Sequence, residues 1–148
     1  MPTRKTKLIL IAHRGNINGP ETAKENEPGY VIEALQKGYD VEVDVWLMAS
    51  QWWLGHDKPT YKVEGDFLMQ NGLWCHAKNQ EALVEMVELG VHCFWHQNDE
   101  VTLTSRKFLW TYPGKKLTSR SIAVMPERVS GWELEGIAGI CSDYVENC

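Results

Sequence analysis

Long apolar runs are missing from this 148-residue sequence. The apolar run near its start, residues 8–12, has five residues. A membrane-spanning helix needs about 20, and the apolar region of a secretory signal needs about 7–15. We therefore expect neither a membrane span nor a secretory signal.

Cysteine and basic charge are also scarce. Four cysteines are too few for a disulfide scaffold, so we expect a cytoplasmic chain with reduced thiols. Fifteen Lys and Arg residues face 20 Asp and Glu residues, and the net charge is −5. A nucleic-acid-binding domain usually carries a clustered basic face, so nucleic acid is not an expected partner.

Internal repeats, low-complexity tracts and linkers are absent as well. The apolar fraction of 43% and the charged fraction of 24% are those of an ordinary globular protein. The length predicts a single domain over residues 1–148. Seven tryptophans favour a packed core, with aromatic side chains available as pocket walls.

Short apolar runs separated by turn signals predict strands. We expect strands over residues 8–12, 41–46, 73–78, 91–95, 108–111, 121–124 and 137–141. Helical periodicity is rarer. It predicts helices over 29–37, between the cap Asn79 and the terminating Gly90, and near 128–134.

The order strand, helix, strand at the front of the chain predicts a parallel sheet, because parallel neighbours need a crossover. Seven strands with few helices between them favour a small TIM-like (β/α) barrel. An ordinary barrel of this kind uses about 250 residues, so several helices must be missing or shortened. Such a barrel exposes apolar strand surface, which favours a homo-oligomer.

Two acidic residues alternate with valines in the second predicted strand. Glu42 and Asp44 share one face, because residues two apart on a strand point the same way. If that face is the interior, the two carboxylates repel one another unless a cation or a proton relieves the repulsion, and Mg²⁺ or Ca²⁺ suits such ligands. The alternative is an exposed strand with both acids in water.

The third predicted strand, residues 73–78, places His76 and Lys78 on one face by the same rule. Lys78 could neutralise a phosphate, and His76 could add a metal ligand. The alternative for a lone inward histidine is a hydrogen-bonded core residue.

Two histidines are candidates for acid–base chemistry. His13 and Arg14 stand directly after the first strand, and parallel barrels keep their active sites at the carboxyl ends of strands. Arg14 suits a pair of phosphate oxygens. His56 supplies a second imidazole, so that His13 and His56 could serve as general base and general acid.

A zinc site made by Cys75, His76, His92 and Cys93 is excluded. Within each adjacent pair the side chains point to opposite faces of a strand, so the four cannot converge on one ion.

These motifs together resemble the glycerophosphodiester phosphodiesterase family of the phosphatidylinositol-phospholipase-C-like TIM barrels. The matching motifs are His-Arg-Gly at 13–15, Glu-Asn at 25–26, Glu-x-Asp at 42–44 and His-Asp at 56–57. The resemblance covers about residues 8–57, and the late strand 139–144 resembles the closing strand of the family.

The resemblance implies that His13 and His56 are the catalytic acid–base pair. Arg14 and Lys78 would contact the phosphate. The expected activity is metal-dependent cleavage of a glycerophosphodiester-like small molecule or a related phosphodiester. Two alternatives stay open: a lyase-type reaction that gives a cyclic phosphate, and a module on the same barrel that binds a phosphorylated ligand without cleaving it.

The resemblance also implies that Glu42 and Asp44 bind a divalent cation. The family has an acidic ligand two residues before its lysine, and His76 occupies that position here. A softer cation such as Mn²⁺ or Zn²⁺ is therefore an alternative to Mg²⁺ or Ca²⁺. His96 and Tyr112 follow later strands, Trp110 lies near the end of one, and all three are further candidates at the mouth.

Overall fold

A computed structural model describes residues 7–148 of the chain. The strands in this part are β1 (Ile9–His13), β2 (Asp40–Met48), β3 (Gln51–Leu54), β4 (Tyr61–Val63), β5 (Leu73–Ala77), β6 (Cys93–Trp95), β7 (Val101–Leu103), β8 (Leu109–Thr111), β9 (Ser121–Val124) and β10 (Gly139–Ser142). The α-helices are α1 (Pro28–Gln36), α2 (Gly65–Leu68) and α3 (Gln80–Leu89). Pro126–Arg128 and Val145–Asn147 form 3-10 turns.

Seven of the strands form a parallel array in the order β6, β5, β2, β1, β10, β9, β8. Antiparallel strands extend it at two places, β3 and β4 beside the far half of β2 and β7 beside β8. The protein is therefore a mixed α/β structure with few helices, as the sequence predicts. All seven predicted strands are present, with boundaries that differ by at most two residues.

The sheet curls until its two ends face each other. The ring of Phe94 on β6 lies 4.7 Å from the ring of Trp110 on β8, although no strand pairing joins β6 to β8 in residues 7–148. The segment after β6 bridges the gap, because Thr102 Oγ1 donates to the Trp95 carbonyl and Ser105 N donates to the Cys93 carbonyl. The curl encloses an interior at one face of the sheet.

The two faces of β2 have the roles that its alternation predicts. Val41, Val43 and Val45 are fully buried in the cluster that joins the sheet to α1 and α3. Glu42 and Asp44 point to the other face, into the interior. The interpretation of an exposed strand with both acids in water is therefore wrong.

Local sequence explains the two longer helices. Glu27 caps α1 by accepting hydrogen bonds from the N–H groups of Gly29 and Tyr30. Asn79 caps α3 through the N–H of Ala82, and Gly90 ends it in the left-handed conformation, both as predicted. The helix expected over 128–134 is wrong, since the 3-10 turn ends at Arg128 and residues 129–134 are not helical.

Candidate active site

A cavity of about 230 Å³ opens at the carboxyl ends of the parallel strands. Six of the seven predicted site residues line it, and they are His13, Arg14, Glu42, Asp44, His56 and His76. The rest of its lining is His96, Trp110, Tyr112, Pro113, Val124, Met125 and Arg128. Strands β1, β2, β5, β8 and β9 all contribute, so the curl of the sheet assembles the site from distant parts of the chain.

Glu42, Asp44 and His76 form a compact group on the cavity wall. Each offers one ligand atom, and these atoms lie within 4.8 Å of one another. Parallel pairing of β2 with β5 sets Asp44 directly beside His76. The group could hold a metal ion.

The two carboxylates of the group have different surroundings. Burial and the negative charge of Asp44 raise the pKa of Glu42 above its ordinary value. Its Oε1 atom is buried without a hydrogen-bond partner among residues 7–148. Burial alone would also raise the pKa of Asp44, but the hydrogen bond and charge of His76, with Arg14 and Asn26, hold that pKa well below its usual range.

The orientation of the His76 ring indicates that a proton or a metal cation lies between its Nδ1 atom and the two carboxylates. Nε2 lies 3.1 Å from the carbonyl oxygen of His96, which can only accept, so Nε2 carries a proton. Nδ1 then faces Asp44 Oδ1 at 3.1 Å and Glu42 Oε2 at 3.9 Å. Ionised carboxylates have no proton to donate to Nδ1. The contact is therefore favourable only if Nδ1 carries a proton of its own or if a cation lies between Nδ1 and the carboxylates.

These observations fit a divalent cation. Metal-binding histidines commonly donate their other N–H to a backbone carbonyl, as His76 does here. Two carboxylate ligands and one imidazole suit Mn²⁺ or Zn²⁺ and also accept Mg²⁺ or Ca²⁺. A bound cation would satisfy the unpartnered oxygen of Glu42 and offset the repulsion between Glu42 and Asp44.

His13 is held by an acid that the sequence analysis did not assign. Its Nδ1 donates to Asp143 Oδ1 over 2.7 Å, which leaves Nε2 toward the cavity, 3.9 Å from Glu42 Oε1. Burial alone would lower the pKa of His13, but the hydrogen bond to Asp143 and the charge of Glu42 outweigh it and raise that pKa. Such a histidine can take up or release a proton at Nε2.

A chain of polar contacts links His13 to the acidic group. Asn16 Nδ2 donates to Asp143 and to Glu25, and Glu25 accepts from Arg14 Nη1 over 3.1 Å. Arg14 Nε lies 3.4 Å from Asp44 Oδ2. Arg14 therefore lines the cavity in ion pairs with two carboxylates, and its buried Nε atom has no hydrogen-bond partner within residues 7–148.

Asn26 fixes the position of Asp44. Its Nδ2 donates to Asp44 Oδ2 and its Oδ1 accepts from the Asp44 N–H, both over 2.9 Å. Asn26 and Arg14 both adopt left-handed backbone conformations, with φ of 66° and 56°. Such conformations are uncommon for non-glycine residues and cluster at functional sites.

The remaining predicted residues lie farther from this group. The β2–β3 hairpin returns the chain to the level of Asp44, where Gly55 N donates to its carbonyl and His56 lines the cavity. The side chain of His56 is 43% exposed and its Nδ1 lies 2.7 Å from Asp57 Oδ1. Lys78 does not line this cavity; it lies in a neighbouring pocket of about 80 Å³ beside His76 and His96.

Asp143, Asn16 and Arg128 are the candidate residues missed in the sequence. Asp143 directly follows β10, so the strand-end rule that selects His13 also applies to it. Asn16 and Arg128 lie on turns, and no periodicity marks them. His96 is one of the mouth candidates: it is buried, and both of its ring nitrogens lack a hydrogen-bond partner in the described part of the chain.

The excluded zinc site is indeed not assembled. Cys75 and Cys93 pair across β5 and β6, whereas His76 turns to Asp44 and His92 turns to Thr104. His92 Nε2 lies 2.8 Å from Thr104 Oγ1, away from the cavity.

We expect His92 to make the protein less stable in acid. Burial and the charge of Arg106 lower its pKa to about 4, against 6.5 in the unfolded chain. Between these values the unfolded state binds the extra proton, so stability falls as pH falls from 6.5 to 4, by about 3 kcal/mol over the whole window. Urea unfolding of wild type and His92→Gln at pH 7 and 4.5 measures this.

The loss of stability between the two pH values is expected to be about 2–3 kcal/mol larger in wild type than in His92→Gln. Parallel pH profiles would contradict the assignment, since the packing change in the variant does not depend on pH.

Comparisons with models of protein families, with curated proteins and with solved structures found no match. None of the helices within residues 7–148 combines the length and the apolar character needed to cross a membrane.

Proposed function

We propose that this protein is a divalent-metal-dependent phosphodiesterase. In this proposal the curled sheet is a small TIM-like barrel, and the chain is a short relative of the glycerophosphodiester phosphodiesterases. One observation carries it: a possible metal-binding group and two histidines suited to acid–base work line the same cavity. The substrate is a small phosphodiester, because the cavity is small, about 230 Å³, and Trp110 and Tyr112 form part of its wall.

Glu42, Asp44 and His76 would hold the cation. When bound, the cation polarises the phosphoryl group and favours a deprotonated nucleophile. Glu42 and Asp44 contribute the negative charge that attracts it, and Asn26 keeps Asp44 in place through two hydrogen bonds. Arg14 orients Asp44 from the other side.

His13 and His56 would move the protons. Asp143 holds the proton on Nδ1 of His13, so that Nε2 faces the cavity as the atom that accepts or donates. His56 lies on the exposed side and would do the converse. One of the two histidines would take the proton of the nucleophile, and the other would protonate the alkoxide oxygen that leaves. A water nucleophile gives hydrolysis, and a neighbouring hydroxyl of the substrate gives a cyclic phosphate.

The test is turnover of a panel of phosphodiesters by the purified chain, with glycerophosphodiesters, lysophospholipids and an aryl phosphodiester as substrates. Each is assayed with Mg²⁺, Ca²⁺, Mn²⁺ or Zn²⁺ and with chelator, and products are identified by ³¹P NMR. We expect turnover that needs the cation; a cyclic product would assign the lyase-type reaction.

Turnover that persists in chelator would contradict the proposal. Tight metal and phosphate binding without turnover of any substrate would instead favour the binding module.

A further inference from the structure

Among the cationic side chains near the cavity, Arg128 has free capacity for an anion. The charge of Arg14 is paired with Glu25 and Asp44, and one of its N–H groups donates to Glu25. Lys78 lies in the neighbouring pocket. Arg128 lines the cavity, and within residues 7–148 it makes no salt bridge.

The turn that carries Arg128 is anchored to the end of β10. Met125 N donates to the Cys141 carbonyl over 2.7 Å. Glu127, the nearest acid in sequence, accepts from Ser142 Oγ with one oxygen and from Asp143 N with the other. Glu127 is thus occupied in holding the turn, and Arg128 remains available.

The charge of the cavity explains why a phosphodiester would need such a group. Three carboxylates, those of Glu42, Asp44 and Asp143, lie on β2 and at the end of β10. One divalent cation would offset two of these charges, and a phosphodiester brings a further negative charge to the cavity. Arg128 stands beyond β9, three strands along the curled sheet from β2, so it adds positive charge on a different part of the wall.

We propose that Arg128 binds the phosphate group of the substrate and selects anionic phosphodiesters over uncharged esters. A guanidinium presents parallel N–H groups that match two phosphate oxygens, and a phosphodiester has two non-bridging oxygens that share one negative charge. A phosphodiesterase has to bind an anionic substrate, so this inference rests on the proposed function and adds the residue that recognises the anion. Binding of the anion can be measured without turnover.

Titration calorimetry with inorganic phosphate, on the full chain with Mg²⁺ present, tests this. We expect Arg128→Ala to weaken phosphate binding about 10- to 100-fold, the effect of losing hydrogen bonds to a charged group. Arg128→Lys should fall between, because it keeps the charge and loses the paired N–H groups. Trimethyl phosphate, which is uncharged, should bind weakly and with equal affinity to wild type and to Arg128→Ala.

Arg106→Ala is the matched control. Arg106 is exposed, donates to the Gly90 carbonyl outside the cavity and carries the same charge. It should leave phosphate binding unchanged, and unfolding curves of all variants establish that they are folded.

The outcomes separate the two proposals. Phosphate binding that is equal in wild type and Arg128→Ala, or absent in wild type, overturns the role of Arg128. Binding that depends on Arg128 in a protein without turnover supports the anion site while the phosphodiesterase fails. Turnover in wild type that Arg128→Ala leaves unchanged keeps the enzyme and removes Arg128 from it.

Discussion

His13→Ala is expected to lower turnover of a phosphodiester by about 10²- to 10⁴-fold, the usual contribution of a general acid or base. The cause is loss of the Nε2 atom that the contact between His13 and Asp143 orients toward the cavity. Cation binding should persist or tighten, because the variant removes an ionisable cation 3.9 Å from Glu42. Steady-state kinetics and metal titration on the same preparation measure both effects.

His92→Gln is the control for His13→Ala. His92 is also a largely buried histidine, but it contacts Thr104 outside the cavity. Turnover by the His92→Gln protein at neutral pH should match that of wild type. Equal turnover in His13→Ala and wild type would remove His13 from the chemistry, even if the enzyme is metal-dependent.

Glu42→Gln is expected to have opposite effects on metal binding and on stability. It removes a charged ligand, so affinity for the divalent cation should fall by about 100-fold or more, beyond the range seen when a supporting residue is lost. In chelator the variant should be more stable than wild type, because a buried carboxylate beside Asp44 becomes neutral. A gain of 1 kcal/mol would raise Tm by roughly 4 °C in a chain of this length.

Glu135→Gln removes the same charge from an exposed position and should change neither quantity. Calorimetry of the cation and thermal unfolding in chelator provide the two readouts. A Glu42→Gln protein that binds the cation as wild type does would contradict the assignment of this residue as a ligand.

Short-range patterns were sufficient to predict which face of β2 carries Glu42 and Asp44 and where α3 begins and ends. Alternation in β2 separates the valines from Glu42 and Asp44, and the helical interpretation between Asn79 and Gly90 is correct. These are local properties, because a strand or helix assigns faces to its own residues wherever the element lies.

The partner of His13 could not be found in this way. Asp143 is 130 residues away, and the two meet because β10 pairs with β1. Periodicity does not determine the order of strands in a sheet. The position of His56 was not predictable from periodicity either. It depends on the antiparallel pairing of β2 with β3, a hairpin that the apolar pattern does not mark.

Arg14 shows a different difficulty. Its type and place favour a phosphate contact, but left-handed backbone at Arg14 and Asn26 accompanies a network in which Glu25 and Asp44 engage the guanidinium. Charge partners of this kind depend on loop conformation. The role of Arg14 toward phosphate stays a prediction, as do those of Lys78 and His56.

We propose that one cation bound by Glu42, Asp44 and His76 is required for phosphodiester cleavage in this cavity. The most direct test is to measure cation occupancy and turnover over the same titration of metal into chelator-treated protein. We predict one bound ion per chain, turnover that rises in proportion to occupancy, and loss of both in Asp44→Asn. Full turnover without bound cation, or turnover that Asp44→Asn leaves intact, would contradict it.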